Sequence, residues 1–256
     1  MMKKRLERGP VFAVVGMLAI GLSVAGLAGQ TPDLVRTDAA VVALNHVAVI
    51  DGTGAEAVED QTVLIRDGAI QAVGPFGSVA VPAGTEAFDL SGHSVMPGIV
   101  GLHDHMYLSS NMGSMRPQLA TYPMLFLANG VTTIRTTGSV DPYQELNLKA
   151  AIDEGSRIGP EIFVIGPYLQ GPTSPMGVMH ALEDEEDARR LVRYWAQEGV
   201  SWFKAYTTIT RAQLGAAIDE AHKYGVKVTA HLCSVTFREA VNLGIDHLEH
   251  GFDTDL

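Results

Sequence analysis

Ser201-Trp202-Phe203-Lys204-Ala205-Tyr206 and Val226-Lys227-Val228-Thr229-Ala230-His231 are short β-rich runs, and residues 211–224 between them have helical character. A strand, a helix and a second strand at this spacing predict a β-α-β unit with its two strands parallel. The same rhythm extends in both directions. Strand-like apolar segments recur at 98–103, 131–135, 161–165 and 247–250, and helical stretches at 116–129, 143–154, 184–198 and 235–243. Within Ala188-Arg189-Arg190-Leu191-Val192-Arg193-Tyr194-Trp195-Ala196 the apolar positions fall at i, i+3, i+4 and i+7, the period of a helix with one buried face. Gly130, Gly199, Gly225 and Gly244 each stand where a helix hands over to a strand, the usual place for a left-handed cap. The alternation predicts an α/β fold, a parallel sheet with helices outside, either doubly wound or closed toward a barrel. No G-x-G-x-x-G opens the first helix, which weakens the dinucleotide-binding version.

Upstream the periodicity is different. Residues 41–44, 47–50, 62–66 and 70–73 are β-branched runs, separated by Asp51-Gly52-Thr53-Gly54, Asp67-Gly68, Gly74-Pro75 and Pro82-Ala83-Gly84. They predict a small antiparallel β module, with Asp67-Gly68 as a tight hairpin turn. Further upstream, Lys3, Lys4, Arg5 and Arg8 precede an apolar run over 11–27 that ends in small residues. That order predicts a signal peptide over 1–28, and hence a secreted or periplasmic protein with no stable membrane association after cleavage. An uncleaved anchor is the other reading, and it would make the chain a membrane-tethered interaction module.

The 256 residues carry 18 Lys+Arg against 29 Asp+Glu, a formal net charge of −11, which argues against a nucleic-acid partner. Cys233 is the single cysteine, so an intramolecular disulfide framework and a Cys-rich zinc site are both excluded. It is expected to be buried. The nine histidines carry more information.

His103 and His105 end the strand 97–102; residues two apart on a strand face the same way, so both imidazoles address one site. Converging neutral imidazoles can hold a divalent metal, typically zinc. Lys204 lies in an otherwise apolar strand, where a charged amine is costly unless it is paired or neutral. A neutral amine can take up carbon dioxide and become a bridging carbamate; the alternative is a lysine that reaches the rim and pairs with a carboxylate. His231 and His250 end the next two strands, and functional groups at successive strand C-termini are what a barrel active site requires. His247 competes with His250, which is favoured because it stands last before Gly251.

These segments together resemble a known family. Met96-Pro97-Gly98-Ile99-Val100-Gly101-Leu102-His103-Asp104-His105, Gly130-Val131-Thr132-Thr133-Ile134-Arg135, Phe203-Lys204-Ala205-Tyr206, Ala230-His231 and Leu248-Glu249-His250-Gly251 are similar to the amidohydrolase superfamily. So are residues 48–54 and 63–68, and the order of all these motifs resembles the branch of imidazolonepropionase and the Xaa-Pro dipeptidases. The resemblance implies an incomplete (β/α)8 TIM barrel of about six βα units over 97–256, preceded by a small β-sandwich domain over 35–96. It implies hydrolysis of a C–N bond in a small-molecule amide, cyclic amide or dipeptide by a metal-bound hydroxide at a binuclear centre. Two divalent metal ions, zinc by expectation, would be held by His103 and His105, by His231 and His250, and by carboxylated Lys204 as the bridge. Lys204, His231 and His250 would thereby carry the catalysis.

The family's remaining ligand, an aspartate at the end of the eighth strand, has no counterpart here. Asp253 and Asp255 follow the sixth strand and have no geometric reason to replace it, so a C-terminally truncated and inactive chain is expected. A non-catalytic binding protein that keeps part of the metal site is the alternative. Tyr107, Tyr168 and His180 are candidate substrate-binding residues, the last on a long Pro/Gly-rich insertion over 166–180. Residues 184–187 read as an acidic helix start, and Trp195 and Trp202 as core. The sequence leaves a homo-oligomer open.

Overall fold

The computed structural model describes residues 36–109, 114–173 and 179–251; the predicted signal peptide over 1–28, Asp253 and Asp255 lie outside the described residues. Strands β1 (Val41–Val49), β2 (Val58–Arg66), β3 (Ala69–Pro75), β4 (Glu86–Asp89) and β5 (Ser94–Val95) form one sheet. Its order is β3-β2-β1-β4, with β5 also on β1. Asp67 and Gly68 both adopt positive φ (48° and 76°), the geometry of a two-residue hairpin turn that suits strand twist. The predicted runs 41–44 and 47–50 are one strand, bent by a register shift at His46, whose φ is 59°. The sheet is mixed, not antiparallel as expected, because β4 and β5 pair with β1 in parallel. It is a single layer among the described residues, and Ile70 and Val73 on β3 are exposed.

The second region begins with β6 (Ile99–Asp104) and a hairpin of β7 (Tyr107–Ser109) and β8 (Met115–Pro117). Helix α1 (Tyr122–Ala128) is shorter than the predicted 116–129, because 115–117 are drawn into that hairpin; Pro123 sits in its first turn, where no N–H is needed. Then β9 (Val131–Thr136), α2 (Pro142–Asp153), β10 (Glu161–Phe163), α3 (Glu185–Gln197), β11 (Trp202–Ala205), α4 (Arg211–Lys223), β12 (Lys227–Ala230), α5 (Phe237–Asn242) and β13 (His247–Leu248) alternate along the chain. Asp184 accepts from the Asp187 amide as the α3 cap, while Thr210–Gln213 and Thr236–Glu239 form capping boxes on α4 and α5.

The strands form two parallel sheets, β10-β9-β6 and β11-β12-β13. Parallel bridges at Ile165–Trp202 and Leu169–Ala205 link one sheet to the other. The helices cover them in a continuous core that includes Ile134, Ile162, Phe203, Ile218 and Val228. Coverage is uneven. Phe203, Lys204 and Ala205 on β11 are buried, whereas Ile99, Val100 and Leu102 on β6 are more than half exposed. Among the described residues, no helix is long and apolar enough to cross a membrane.

Candidate active site

The predicted residues at the C-terminal ends of the parallel strands meet. His103 lies near the end of β6, His105 follows it, His231 comes directly after β12, and His250 follows β13 with φ 64°. Ring centroids are 5.4 Å apart for His103–His105, 4.6 Å for His103–His250 and 4.3 Å for His231–His250. His247 stands apart from these rings, 3.8 Å from a carboxylate oxygen of Glu249.

Three tyrosines complete the perimeter. The His105 ring lies 4.8 Å from that of Tyr107, whose hydroxyl is 2.6 Å from the Tyr168 hydroxyl. Tyr168 packs edge-on to Tyr206 at 5.1 Å, and Tyr206 to His231 at 5.1 Å. The contacts therefore run in a closed circuit, with imidazoles on one side and phenols on the other. Tyr107 and Tyr168 were expected as donors to a substrate; here they are buried and bonded to each other. Gly138 is what lets Tyr168 in, since a Cβ there would stand 2.4 Å from its ring.

Burial sets the electrostatics. It pulls the His105 imidazole down to about 4, helped by the nearby Lys204 and His103, and it lowers His231 and His250 as well. These three rings are neutral at pH 7 and keep a lone pair. Lys204 is 1% exposed and makes no ion pair among the described residues; burial lowers its ammonium to about 8, with Arg135 adding and Glu249 opposing. The other reading of this lysine, a rim residue paired with a carboxylate, does not match that burial.

Glu249 and Arg135 were not anticipated as site residues. Burial works to raise the Glu249 carboxyl, but hydrogen bonds from His103 and Thr229 and the charge of Arg135 hold it down at about 2. One carboxylate oxygen lies 2.6 Å from His103 Nδ1; the other accepts from Arg135 Nη2 at 2.7 Å and Thr229 Oγ1 at 2.6 Å. Arg135 also donates to the Leu102 carbonyl and lies over the Trp202 ring at 4.6 Å. Arg135 was visible as a charge ending an apolar strand, the same signal that singled out Lys204.

Other expectations are corrected. His180 stands half exposed and bonds Asp187 at 2.9 Å, so it braces the start of α3 and has no contact with the histidine group among the described residues. Cys233 is exposed, not buried, because it lies in the loop after β12. Trp202 is only half-buried, with Arg135 and Lys227 over its ring.

The donor set suits a divalent cation of the zinc type: neutral imidazoles in mutual contact, a buried His105 Nδ1 with no partner, and a buried amine. Among the described residues, no group of three or more His, Cys, Asp or Glu side chains is arranged to hold a metal ion.

Comparison with known proteins adds independent findings. The amidohydrolase family profile matches residues 94–256. Imidazolonepropionase of Stenotrophomonas maltophilia (strain R551-3) is 23% identical to this chain, over 80% of this chain and 62% of that protein. A Bifidobacterium longum structure provisionally described as a prolidase superposes with a TM-score of 0.72 and 31% identity, covering 82% of this chain and 54% of that one. A Xaa-Pro dipeptidase solved with bound methionine gives a TM-score of 0.71 at 20% identity, covering 84% and 63%, and this likeness concerns the fold. The chain thus spans about three fifths of the length of these relatives.

Proposed function

The chain belongs to the amidohydrolase family, and from that premise we propose that the full-length protein hydrolyses a C–N bond in a small amide, cyclic amide or dipeptide. The reading rests on one observation above the others: four imidazoles from three separate strand ends touch one another beside a buried lysine. In this reading the two parallel sheets are six strands of an incomplete (β/α)8 barrel over 97–256, and residues 35–96 form a separate β domain. The signal-like segment 1–28 supports an extracytoplasmic location.

His103, His105, His231, His250 and carboxylated Lys204 would hold two divalent metals, zinc by donor type. Such ions would supply Lewis acidity toward a carbonyl oxygen and a lowered pKa for bound water. The chain's own groups have distinct tasks. With its ammonium near 8, Lys204 is in part neutral at pH 7, and only a neutral amine can attack carbon dioxide to give the carbamate. Tyr107, Tyr168 and Tyr206 wall the side opposite the imidazoles and would exclude water and orient a substrate. The substrates named in the relatives' descriptions, an imidazolone and Xaa-Pro dipeptides, are small amides of the proposed class.

The test is hydrolysis of a panel of N-acyl amino acids, Xaa-Pro dipeptides and cyclic amides by zinc-loaded protein, with and without a chelator. Turnover that a chelator abolishes and zinc restores supports the proposal; chelator-indifferent turnover, or none on any amide, counts against it. The second reading is a barrel protein that binds metal without turnover, since contacting imidazoles would hold a cation whether or not a substrate is turned over. Tight zinc binding without hydrolysis would select it.

A further inference from the structure

We propose that Glu249 is a positioning residue that fixes the tautomer of His103, so that Nε2 is kept as the free donor of the histidine group. The proposal rests on the metal-site reading for its purpose, but its geometry stands on the chain's own contacts.

A carboxylate only accepts hydrogen bonds, so a ring nitrogen 2.6 Å from Glu249 must carry the proton. His103 therefore carries a proton on Nδ1, and the lone pair of its neutral form lies on Nε2. The carboxylate cannot swing away to relieve this arrangement. Its other oxygen already accepts from Arg135 and Thr229, and its backbone N–H is bonded to the Ala230 carbonyl at 2.9 Å. Arg135 is itself fixed, by the carbonyl of Leu102 immediately before His103 and by the face of Trp202. One carboxylate thus ties β6, β9, β11, β12 and β13 together just below the histidines.

The link matters because packing does not place His103. Its strand exposes Val100 and Leu102, and its own side chain is 32% exposed. An imidazole in so open a setting would sample both tautomers and several rotamers. A buried anion beside Nδ1 removes that freedom, as carboxylates behind ligating histidines do in general.

Glu249→Gln tests the idea sharply. Glutamine offers one oxygen and one NH2 group; Arg135 and Thr229 claim the oxygen, so the amide N–H turns toward His103 and Nδ1 must accept. Two-bond 15N–1H correlation spectra of the metal-free protein, with the His103 signal assigned by His103→Gln, would read the tautomer directly. The expected result is Nδ1–H in the wild type and mainly Nε2–H in Glu249→Gln. Zinc affinity, measured by competition with a chromophoric chelator, should fall about 10–100-fold in the variant. Glu249→Asp, which keeps the charge at a shorter reach, should recover part of both. A wild-type His103 in the Nε2–H form would overturn the proposal whether or not any variant folds. So would a folded Glu249→Gln protein with unchanged tautomer and zinc affinity, since a merely structural Glu249 would lower stability alone. A wild type that is Nδ1–H but takes up no zinc would uphold the tautomer assignment and contradict the metal-site reading instead.

Discussion

The two parallel sheets have the same connectivity but differ in how their strands are held. In β11-β12-β13 the strand residues Phe203, Val228 and Ala230 are fully buried under α3, α4 and α5. In β10-β9-β6 the edge strand β6 leaves Ile99, Val100 and Leu102 more than half exposed, and its helix α1 has only seven residues. Yet each sheet supplies two of the four clustered imidazoles. Apolar packing thus holds the strands that lead to His231 and His250, although His250 itself is exposed, while His103 is tied across the site by a polar strut, Glu249 with Arg135. Burial holds one sheet, and hydrogen bonding ties the edge strand of the other to it.

Several substitutions break this contrast. Lys204→Ala should have the largest effect and abolish hydrolysis in a steady-state assay, since no other side chain here can bridge the two halves as a carbamate. Phe203→Ala should cost about 3–5 kcal/mol in urea unfolding, the usual loss for a fully buried aromatic. Arg135→Met leaves Glu249 buried beside an unpaired face and should cost about 3–5 kcal/mol in the same experiment. An equal stability in that variant would mean that the strut is dispensable. Leu102→Ala, on the exposed β6, should change stability by less than about 1 kcal/mol.

A pH-dependent difference sharpens the comparison. Glu145 on α2 covers the first sheet; burial raises its carboxyl to about 7, although Ser139 and Thr136 draw it partly back. The folded pKa lies above the unfolded one, so the native state holds the proton longer. Its contribution to stability is fully present below the ordinary glutamate value of 4.5 and is lost as pH rises through about 7. Glu145→Gln should flatten the decline in stability across that window and be more stable than wild type at pH 8, by up to about 3 kcal/mol. Chemical unfolding at pH 4, 6 and 8 would show whether the slope disappears.

Much of this was legible in the sequence. The βα alternation located each strand of the two three-stranded parallel sheets and, α1 apart, its helix to within a few residues, because apolar runs with glycine caps leave little freedom. Helix α1 was overextended, since nothing local reveals that Met115–Pro117 pairs with Tyr107–Ser109. The mixed β sheet was missed for a similar reason: the pairing of β4 and β5 with β1 is long-range. Glu249 was hidden by strand alternation, which puts neighbours such as Glu249 and His250 on opposite faces. The left-handed turn at His250 breaks that rule and brings both side chains to one site. The Tyr107–Tyr168 bond and the His180–Asp187 pair depend on tertiary placement that no spacing encodes.

The central claim is that the four imidazoles and Lys204 form one divalent-metal site drawn from both sheets. Zinc titration of the purified protein with elemental analysis, beside a His103→Asn/His105→Asn variant and a His231→Asn/His250→Asn variant, tests it most directly. The account predicts about two zinc ions per wild-type chain and loss of tight binding in each double variant. Absence of zinc uptake, or uptake that neither variant disturbs, would contradict it.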